Sequence, residues 1–199
     1  MYSLETLSEI NFELSSHCNS KCPQCPRYDM LGRVHKDLNV THLDVNIIKK
    51  LPMEKMRKLK KVSFCGNFGD PLMHPQLNEI VNFFQNQQIS ISTNASLRSE
   101  KWWGELGTNK NVSVTFCIDG IGKEHELYRR NTSYEKIIEN AKSFIQAGGT
   151  AGWQFIVFRH NEHQINEAKK LSEEMGFKEI DFMYSDRFDT GNKWKVYDN

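Results

Sequence analysis

Three cysteines close together constrain this chain more than any other feature of its 199 residues. Cys18, Cys22 and Cys25 follow the spacing C-x3-C-x2-C, directly after an alternating apolar and polar stretch at 10–15. Three thiolates at this spacing can hold three corners of a cubane iron–sulfur cluster and leave the fourth iron open. A structural zinc site is an alternative, but it needs a fourth ligand, and His17 is badly placed to close a tetrahedron around the metal. Unrelated thiols are the third interpretation.

The composition is that of an ordinary soluble protein of one domain. The net charge of +1 and the mean hydropathy of −0.62 give no bias toward nucleic acid or membrane. The sequence holds no apolar run of about 20 residues, the length a membrane span needs, and its N-terminus lacks the features of a signal peptide. Five cysteines, three of them clustered, suit a reducing compartment. We therefore expect a cytoplasmic protein with no membrane or nucleic-acid partner.

Short strand-like runs alternate with longer helical ones along the whole chain. The predicted strands are 10–15, 61–65, 89–93, 112–118, 153–158 and 179–183. The predicted helices are 43–51, 75–87, 99–106, 134–147 and 162–175. Such repetition is typical of α/β folds with parallel strands and right-handed crossovers. Because six units are too few for a closed eight-stranded barrel, the sequence predicts a partial (βα)6 TIM-like barrel.

The predicted strands each carry one apolar face and one small or polar face. The polar set includes Asn11, Glu13, Ser63, Ser92, Thr115 and Cys117. If the helices cover the apolar face, the polar face lines a hollow interior that suits a polar ligand. An antiparallel sheet with one solvated face would alternate in the same way, but the intervening helices favour the barrel. Glu13 in such an interior is expected to pair with a cation or to have a raised pKa.

The residues that follow the predicted strands differ from the strand bodies, and ligands of parallel α/β folds bind at that end of the sheet. Strand two leads into the glycine-rich loop 66–71, which lets backbone approach a ligand closely. Strand three leads into Ser92-Thr93-Asn94 and strand four into Cys117-Ile118-Asp119-Gly120. A tight turn into the next helix would explain the glycine loop alone. Cys65 and Cys117 are interpreted as small buried side chains and not as redox groups.

The cysteine loop and its flanks, from Glu13 to Arg27, resemble the signature of the radical S-adenosylmethionine enzymes. The resemblance extends from about Ile10 to Ser185 and is closest to the core domain of the SPASM-type branch, which includes peptide and sulfatase maturases. Unlike those enzymes, this sequence has no cysteine after Cys117, so we expect no C-terminal auxiliary-cluster domain. Residues 1–185 are then the barrel core. Residues 186–199 are a tail that either ends a minimal core or begins a missing region.

The resemblance implies a [4Fe–4S] cluster held by Cys18, Cys22 and Cys25, with S-adenosylmethionine beside it. Gly69-Asp70-Pro71 stands where the family often has Gly-Glu-Pro, which holds the methionine amino group. Arg129 stands where an arginine pairs with the methionine carboxylate, an ion pair suited to the guanidinium fork. Cys117 replaces a serine, and its thiol is a weaker donor. The full cofactor-binding set is Gln24, Gly66, Asn67, Gly69, Asp70, Ser92, Asn94, Cys117, Asp119, Arg129 and Gln154.

The resemblance also implies the reaction. Reductive cleavage of S-adenosylmethionine gives a 5′-deoxyadenosyl radical, which abstracts hydrogen from a substrate; the residues that act on the substrate stay unassigned. The substrate is a peptide or a small polar metabolite that is dehydrogenated or epimerised, and the electron donor is a flavodoxin or ferredoxin. The rival function is a zinc-stabilised binding module. Such a module predicts a basic surface near the metal, which the charge balance disfavours.

Overall fold

A computed structural model of the chain describes residues 3–29 and 31–185. The strands are β1 (Glu9–Phe12), β2 (Lys61–Phe64), β3 (Gln88–Thr93), β4 (Val112–Cys117), β5 (Thr150–Val157) and β6 (Glu179–Tyr184). The helices are α1 (Val45–Lys49), α2 (Leu77–Phe83), α3 (Glu100–Gly107), α4 (Lys123–Tyr128), α5 (Tyr134–Gln146) and α6 (Ile165–Met175). Single 3-10 turns lie at Leu4–Thr6, Met53–Lys55, Pro71–Met73 and Glu162–Gln164. The predicted tail at 186–199 lies outside the described residues.

The six strands form one sheet whose spatial order is the chain order, β1 to β6. Every neighbouring pair is parallel, and a helical segment follows each of the first five strands. Within the described residues β1 and β6 are edge strands, so the sheet is open. This architecture confirms the predicted partial (βα)6 TIM-like barrel with parallel strands.

The apolar face of the sheet packs under the helices. In-register side chains such as Val62 and Ile89 are at most 1% exposed. Phe116 of β4 lies 5.1 Å, ring centre to ring centre, from Trp103 of α3 and 5.9 Å from Phe144 of α5. Burial of such side chains contributes about 1.5–3 kcal/mol each. The opposite face carries polar side chains that are half-exposed, namely Ser63, Ser90, Ser92, Ser113, Thr115 and Gln154. The interior of the partial barrel is therefore polar and open.

Several element boundaries differ from the sequence prediction. β1 ends at Phe12 and not at residue 15, because Leu14 and Ser15 leave the sheet to pair with residues 42–43. Ser15 forms an antiparallel bridge with His42, and the Leu14 carbonyl accepts the Leu43 N–H at 2.9 Å. The prediction also missed α4, which carries Tyr128 at its end. In the described part of the chain, no helix combines the length and apolar character that membrane crossing requires.

Candidate cofactor-binding site

A cavity of about 390 Å³ opens at the carboxyl ends of the strands. It brings together residues from the loops after β1, β2 and β3 and from β4, α4, β5 and β6. The lining residues from the predicted set are Cys18, Cys22, Cys25, Gly66, Asn67, Gly69, Asp70, Ser92, Asn94, Cys117, Arg129 and Gln154. Of the described residues predicted for the site, Gln24 and Asp119 are buried beside this cavity without lining it.

The cysteine loop places three thiols, none of them in a disulfide, along the cavity. Ser20 Oγ lies 3.0 Å from Cys22 Sγ, and Asn94 Nδ2 lies 3.8 Å from Cys18 Sγ. Burial raises the pKa of Cys18 to about 12, and the negative charge of Asp70 adds to the effect. The thiol therefore stays protonated until a positive charge arrives. A bound metal supplies that charge and deprotonates its ligands.

The donor set fits a cubane cluster better than a single ion. In the described ranges, no three histidine, cysteine or carboxylate side chains are grouped as a site for one metal ion. Cys18, Cys22 and Cys25 instead border a cavity that is much larger than one ion. Three thiols around such a space match the three protein corners of a [4Fe–4S] cluster with one iron open. These residues would hold the cluster.

The glycine loop packs backbone against backbone on the cysteine loop. A Cβ added to Gly69 would lie 2.0 Å from the Ser15 carbonyl oxygen and 2.7 Å from that of His17. A Cβ on Gly66 would lie 1.9 Å from the Gly69 oxygen. The Asp70 N–H donates to the His17 carbonyl at 2.8 Å. Gly69 is thus required by the contact between the two loops, and Gly66 by the tight path of the glycine loop itself.

The Asp70 carboxylate faces the protein. It is 4% exposed and accepts hydrogen bonds from Leu72 N at 2.9 Å, Thr93 Oγ1 at 2.8 Å and Asn94 N at 2.9 Å. Burial raises its pKa, and these donors oppose the rise. Its carboxylate therefore joins the loops after β2 and β3, while its backbone borders the cavity. That arrangement favours the backbone role predicted for Gly69-Asp70-Pro71 over a carboxylate role.

Asn94 ties the third loop to the cysteine loop. Its Nδ2 donates to Asn19 Oδ1 at 2.9 Å, and its Oδ1 accepts the Ser96 N–H at 3.0 Å. Its neighbour Ser92 is half-buried on the cavity wall. The Asn94 side chain is thus engaged in holding the site together.

Arg129 reaches the cavity from the end of α4. Its Nε donates to Asp119 Oδ2 at 2.6 Å, and Asp119 Oδ1 accepts the Ile156 N–H at 2.8 Å. Burial alone would lower the pKa of Arg129, but the Asp119 charge raises it well above its usual value. Arg130 is exposed, and its Nε donates to the Leu127 carbonyl. The structure therefore brings Arg129 to the cavity and leaves Arg130 outside.

A ring of hydrogen bonds behind Arg129 was missed by the sequence prediction. His125 Nδ1 accepts the Asp119 N–H at 3.0 Å, and its Nε2 lies 3.1 Å from Thr132 Oγ1. That hydroxyl donates to the Arg129 carbonyl at 2.5 Å. Burial, and then the Arg129 charge, lower the pKa of His125 to about 3, so its imidazole is neutral. The sequence feature that could have indicated this ring is the i, i+4 spacing of His125 and Arg129, which places the two residues on one side of a helix.

The other two cysteines contact carboxamides of the inner face. Cys117 is buried, its Sγ donates to Gln154 Oε1 at 3.5 Å, and burial raises its pKa to about 11. Cys65 is half-exposed at the cavity wall, 3.2 Å from Asn11 Nδ2. The prediction of a small buried side chain thus holds for Cys117 and is wrong for Cys65. The open inner face leaves Cys65 accessible.

The prediction that Glu13 lies inside the barrel and needs a cation there is also wrong. Its side chain is exposed, since β1 ends one residue earlier. Glu13 Oε1 accepts hydrogen bonds from Asn67 N at 3.0 Å and Asn67 Nδ2 at 2.7 Å. The carboxylate therefore needs no cation. It fastens the glycine loop to the chain just after β1.

The family model of the Radical SAM superfamily matches residues 12–186. The chain belongs to the radical SAM superfamily. Enzymes of this superfamily use a [4Fe–4S] cluster together with S-adenosylmethionine, which agrees with the cysteine loop and the cavity beside it. The resemblance inferred from the cysteine motif is thereby confirmed.

Individual relatives within the superfamily are distant. A cysteine-type anaerobic sulfatase-maturating enzyme of Clostridium novyi is 24% identical over 90% of this chain and 51% of its own length. The S-adenosylmethionine-dependent nucleotide dehydratase RSAD2 of Danio rerio is 24% identical over 68% of this chain and 37% of its own length. The chain thus spans about half or less of these relatives.

The fold is similar to that of SuiB from Streptococcus suis, solved with its precursor peptide SuiA. The TM-score is 0.71 at 18% identity, over 88% of this chain and 39% of that one. The same enzyme has also been solved with S-adenosylmethionine bound. At this identity the likeness shows a shared barrel core.

Proposed function

We propose that this chain is a radical S-adenosylmethionine enzyme that acts on a peptide. Residues 1–185 are its catalytic core. The observation that carries the proposal is that Cys18, Cys22 and Cys25, the glycine loop and Arg129 all border one cavity. When bound, the cluster and S-adenosylmethionine supply a 5′-deoxyadenosyl radical that abstracts hydrogen from the substrate.

The residues of the chain bind and align the cofactor. Arg129, fixed by Asp119, receives the methionine carboxylate, since a guanidinium donates charged hydrogen bonds to carboxylates. Gly69 and Asp70, which line the cavity, would hold the methionine amino group, and Ser92 and Asn94 line the cavity as well. Tyr128 and Phe158, whose ring centres are 4.4 Å apart, pack with the buried Cys22 and exclude water on that side.

The peptide substrate is supported by the sulfatase-maturating relative and by the barrel core shared with SuiB. The half-exposed polar inner face suits an amide-bearing ligand. A flavodoxin or ferredoxin would deliver the electron, and the cysteine thiols suit a reducing cytoplasm. The alternative is a small polar metabolite. The nucleotide dehydratase among the relatives is the observation that favours it.

Metal analysis after anaerobic purification tests the proposal. We expect about four irons and four sulfides per chain, as for one cubane cluster. Cys18→Ala, Cys22→Ala and Cys25→Ala each lose them, whereas Cys65→Ala and Cys117→Ala retain them. One zinc and no iron would establish the binding-module alternative. Loss of the cluster from Cys65→Ala as complete as from Cys22→Ala would refute the ligand assignment.

A second measurement tests the chemistry. The reduced protein should release 5′-deoxyadenosine from S-adenosylmethionine slowly by itself and faster with its substrate. Candidate peptides and nucleotides are compared as accelerators in the same assay. Acceleration by nucleotides alone would overturn the peptide proposal and leave the superfamily activity standing.

A further inference from the structure

Arg27 is a buried cation for which the structure shows no opposing charge. It directly follows Cys25-Pro26 and is 5% exposed. Among the described residues it forms no ion pair with a carboxylate, whereas Arg129, whose side chain is 14% exposed, pairs with Asp119. Its Nε is buried and lacks a hydrogen-bond partner in the described part of the chain. A buried charge of this kind is costly unless an anion lies close by.

The Arg27 side chain lies between the two loops that border the cavity. Its Nη1 donates to the Ser16 carbonyl, two residues before Cys18, and to the Phe68 carbonyl of the glycine loop at 2.9 Å. The residue before Phe68 has its carbonyl oxygen 4.0 Å from Cys25 Sγ. The guanidinium therefore contacts the glycine loop next to the peptide group that borders Cys25 Sγ.

An iron–sulfur cluster held by three thiolates is anionic, and it gains one more negative charge on reduction. A fixed cation in a low-dielectric setting stabilises the more negative state. The position of Arg27 meets this need, because its charge is buried beside the cysteine loop and is held by two carbonyl groups. A surface cation would be screened by solvent.

We propose that Arg27 is the counter-charge of the cluster. By its charge it favours cluster reduction, and its hydrogen bonds to the Ser16 and Phe68 carbonyls hold that charge in place. Arg27 touches neither substrate nor reacting atoms, so it is a positioning residue. The inference rests on the proposed cluster site at Cys18, Cys22 and Cys25.

Redox titration of the cluster, followed by electron paramagnetic resonance, measures the charge effect without turnover. Arg27→Gln should lower the equilibrium constant for one-electron reduction about tenfold, a shift of about 59 mV to lower potential. Arg27→Lys keeps the charge and should stay within about threefold of wild type. The control is Arg33→Gln, which removes an exposed cation of the next loop and should leave the potential unchanged. An unchanged potential in Arg27→Gln overturns the proposal.

Thermal unfolding of the metal-free and the cluster-loaded proteins provides a readout that does not depend on turnover. Cluster loading should raise the unfolding temperature of wild type more than that of Arg27→Met, because only wild type gains a charge pair with the cluster. An equal gain on loading in the two proteins would make Arg27 a purely structural residue and overturn the proposal.

Arg27→Met and Arg27→Lys also decide the case in which a variant takes up no cluster. If folded Arg27→Met takes up no cluster and Arg27→Lys does, the charge is required for assembly and the proposal stands. If neither takes it up, hydrogen-bond geometry and not charge is decisive, and the proposal fails. A wild-type protein that holds no iron and sulfide would instead refute the proposed function itself.

Discussion

The Nε of Arg129 lies 2.6 Å from Oδ2 of Asp119 in a charged hydrogen bond at the wall of the cavity. Asp119 is fully buried, and its other carboxylate oxygen accepts the Ile156 N–H. The pair is closed into a ring through His125 and Thr132. A guanidinium held in this way loses little freedom when a ligand carboxylate binds, which favours affinity.

Arg129→Ala should weaken S-adenosylmethionine binding about 10- to 100-fold. A charged hydrogen bond contributes about 1.5–3 kcal/mol, and each 1.4 kcal/mol is about tenfold in Kd. Equilibrium binding to the oxidised, cluster-loaded protein measures the change. The matched variant Arg130→Ala removes an exposed side chain and should change Kd less than about twofold. A larger loss in Arg130→Ala would show that the wrong arginine has been assigned.

Thr132→Val should reduce the free energy of unfolding by about 1–2 kcal/mol, because it leaves the His125 Nε2–H and the Arg129 carbonyl without their hydroxyl partner. Binding of S-adenosylmethionine should weaken by a few fold, since Arg129 is then less fixed. Urea unfolding and ligand binding measure the two effects. Thr132→Ser restores the hydroxyl and should recover most of both. A loss in Thr132→Ser with none in Thr132→Val would show that the methyl group matters and the hydroxyl does not.

The low pKa of His125, about 3, makes stability depend on pH. Between this value and an unfolded-state pKa of about 6.5, the unfolded chain binds a proton that the folded chain does not. The contribution is complete above pH 6.5 and is lost as pH falls; from pH 7 to pH 5 the loss is about 2 kcal/mol. Comparing the pH dependence of urea unfolding for wild type and His125→Gln isolates this effect. Parallel curves for the two proteins would contradict it.

Gly69→Ala should separate the two cavity loops, because its Cβ would lie 2.0 Å from the Ser15 carbonyl oxygen. Neither the added Cβ nor the Ser15 carbonyl oxygen can rotate away, so the clash can be relieved only by a backbone shift. We therefore expect the free energy of unfolding to fall by more than about 2 kcal/mol and cluster loading to be poor. Gly104→Ala is the control. It lies in α3 with its nearest neighbour at 4.0 Å, so alanine should stabilise the helix by up to about 1 kcal/mol. A Gly69→Ala protein as stable as wild type would refute the contact.

The sequence predicted the sheet well because both of its determinants are local. The alternation of apolar and polar residues located the strands. The helical runs between them indicated that neighbouring strands are parallel. The cysteine spacing is also local, so Cys18, Cys22 and Cys25 could be grouped without a structure. The predicted cavity residues followed from one rule, that ligands bind at the carboxyl ends of parallel strands.

The predictions failed where a contact joins distant segments. The exposure of Glu13 follows from the end of β1, which depends on pairing between residues 14–15 and 42–43. The inward turn of the Asp70 carboxylate depends on donors from the loop after β3. Arg27 was missed because its acceptors lie at Ser16 and Phe68. No periodicity marks such partners.

The order of the strands in space has a consequence for how the chain folds. Each new strand pairs with the one synthesised just before it, so the sheet can grow from the N-terminus during translation. The segments that meet at Gly69, the cysteine loop and the glycine loop, both belong to the first two strand units. Arg129 arrives only with the fourth strand and its helix. The cysteine loop also waits for these later segments, because the Lys21 N–H donates to the Arg130 carbonyl and Cys22 packs with Tyr128 and Phe158. The cluster ligands and the arginine for the cofactor carboxylate therefore reach their final positions together.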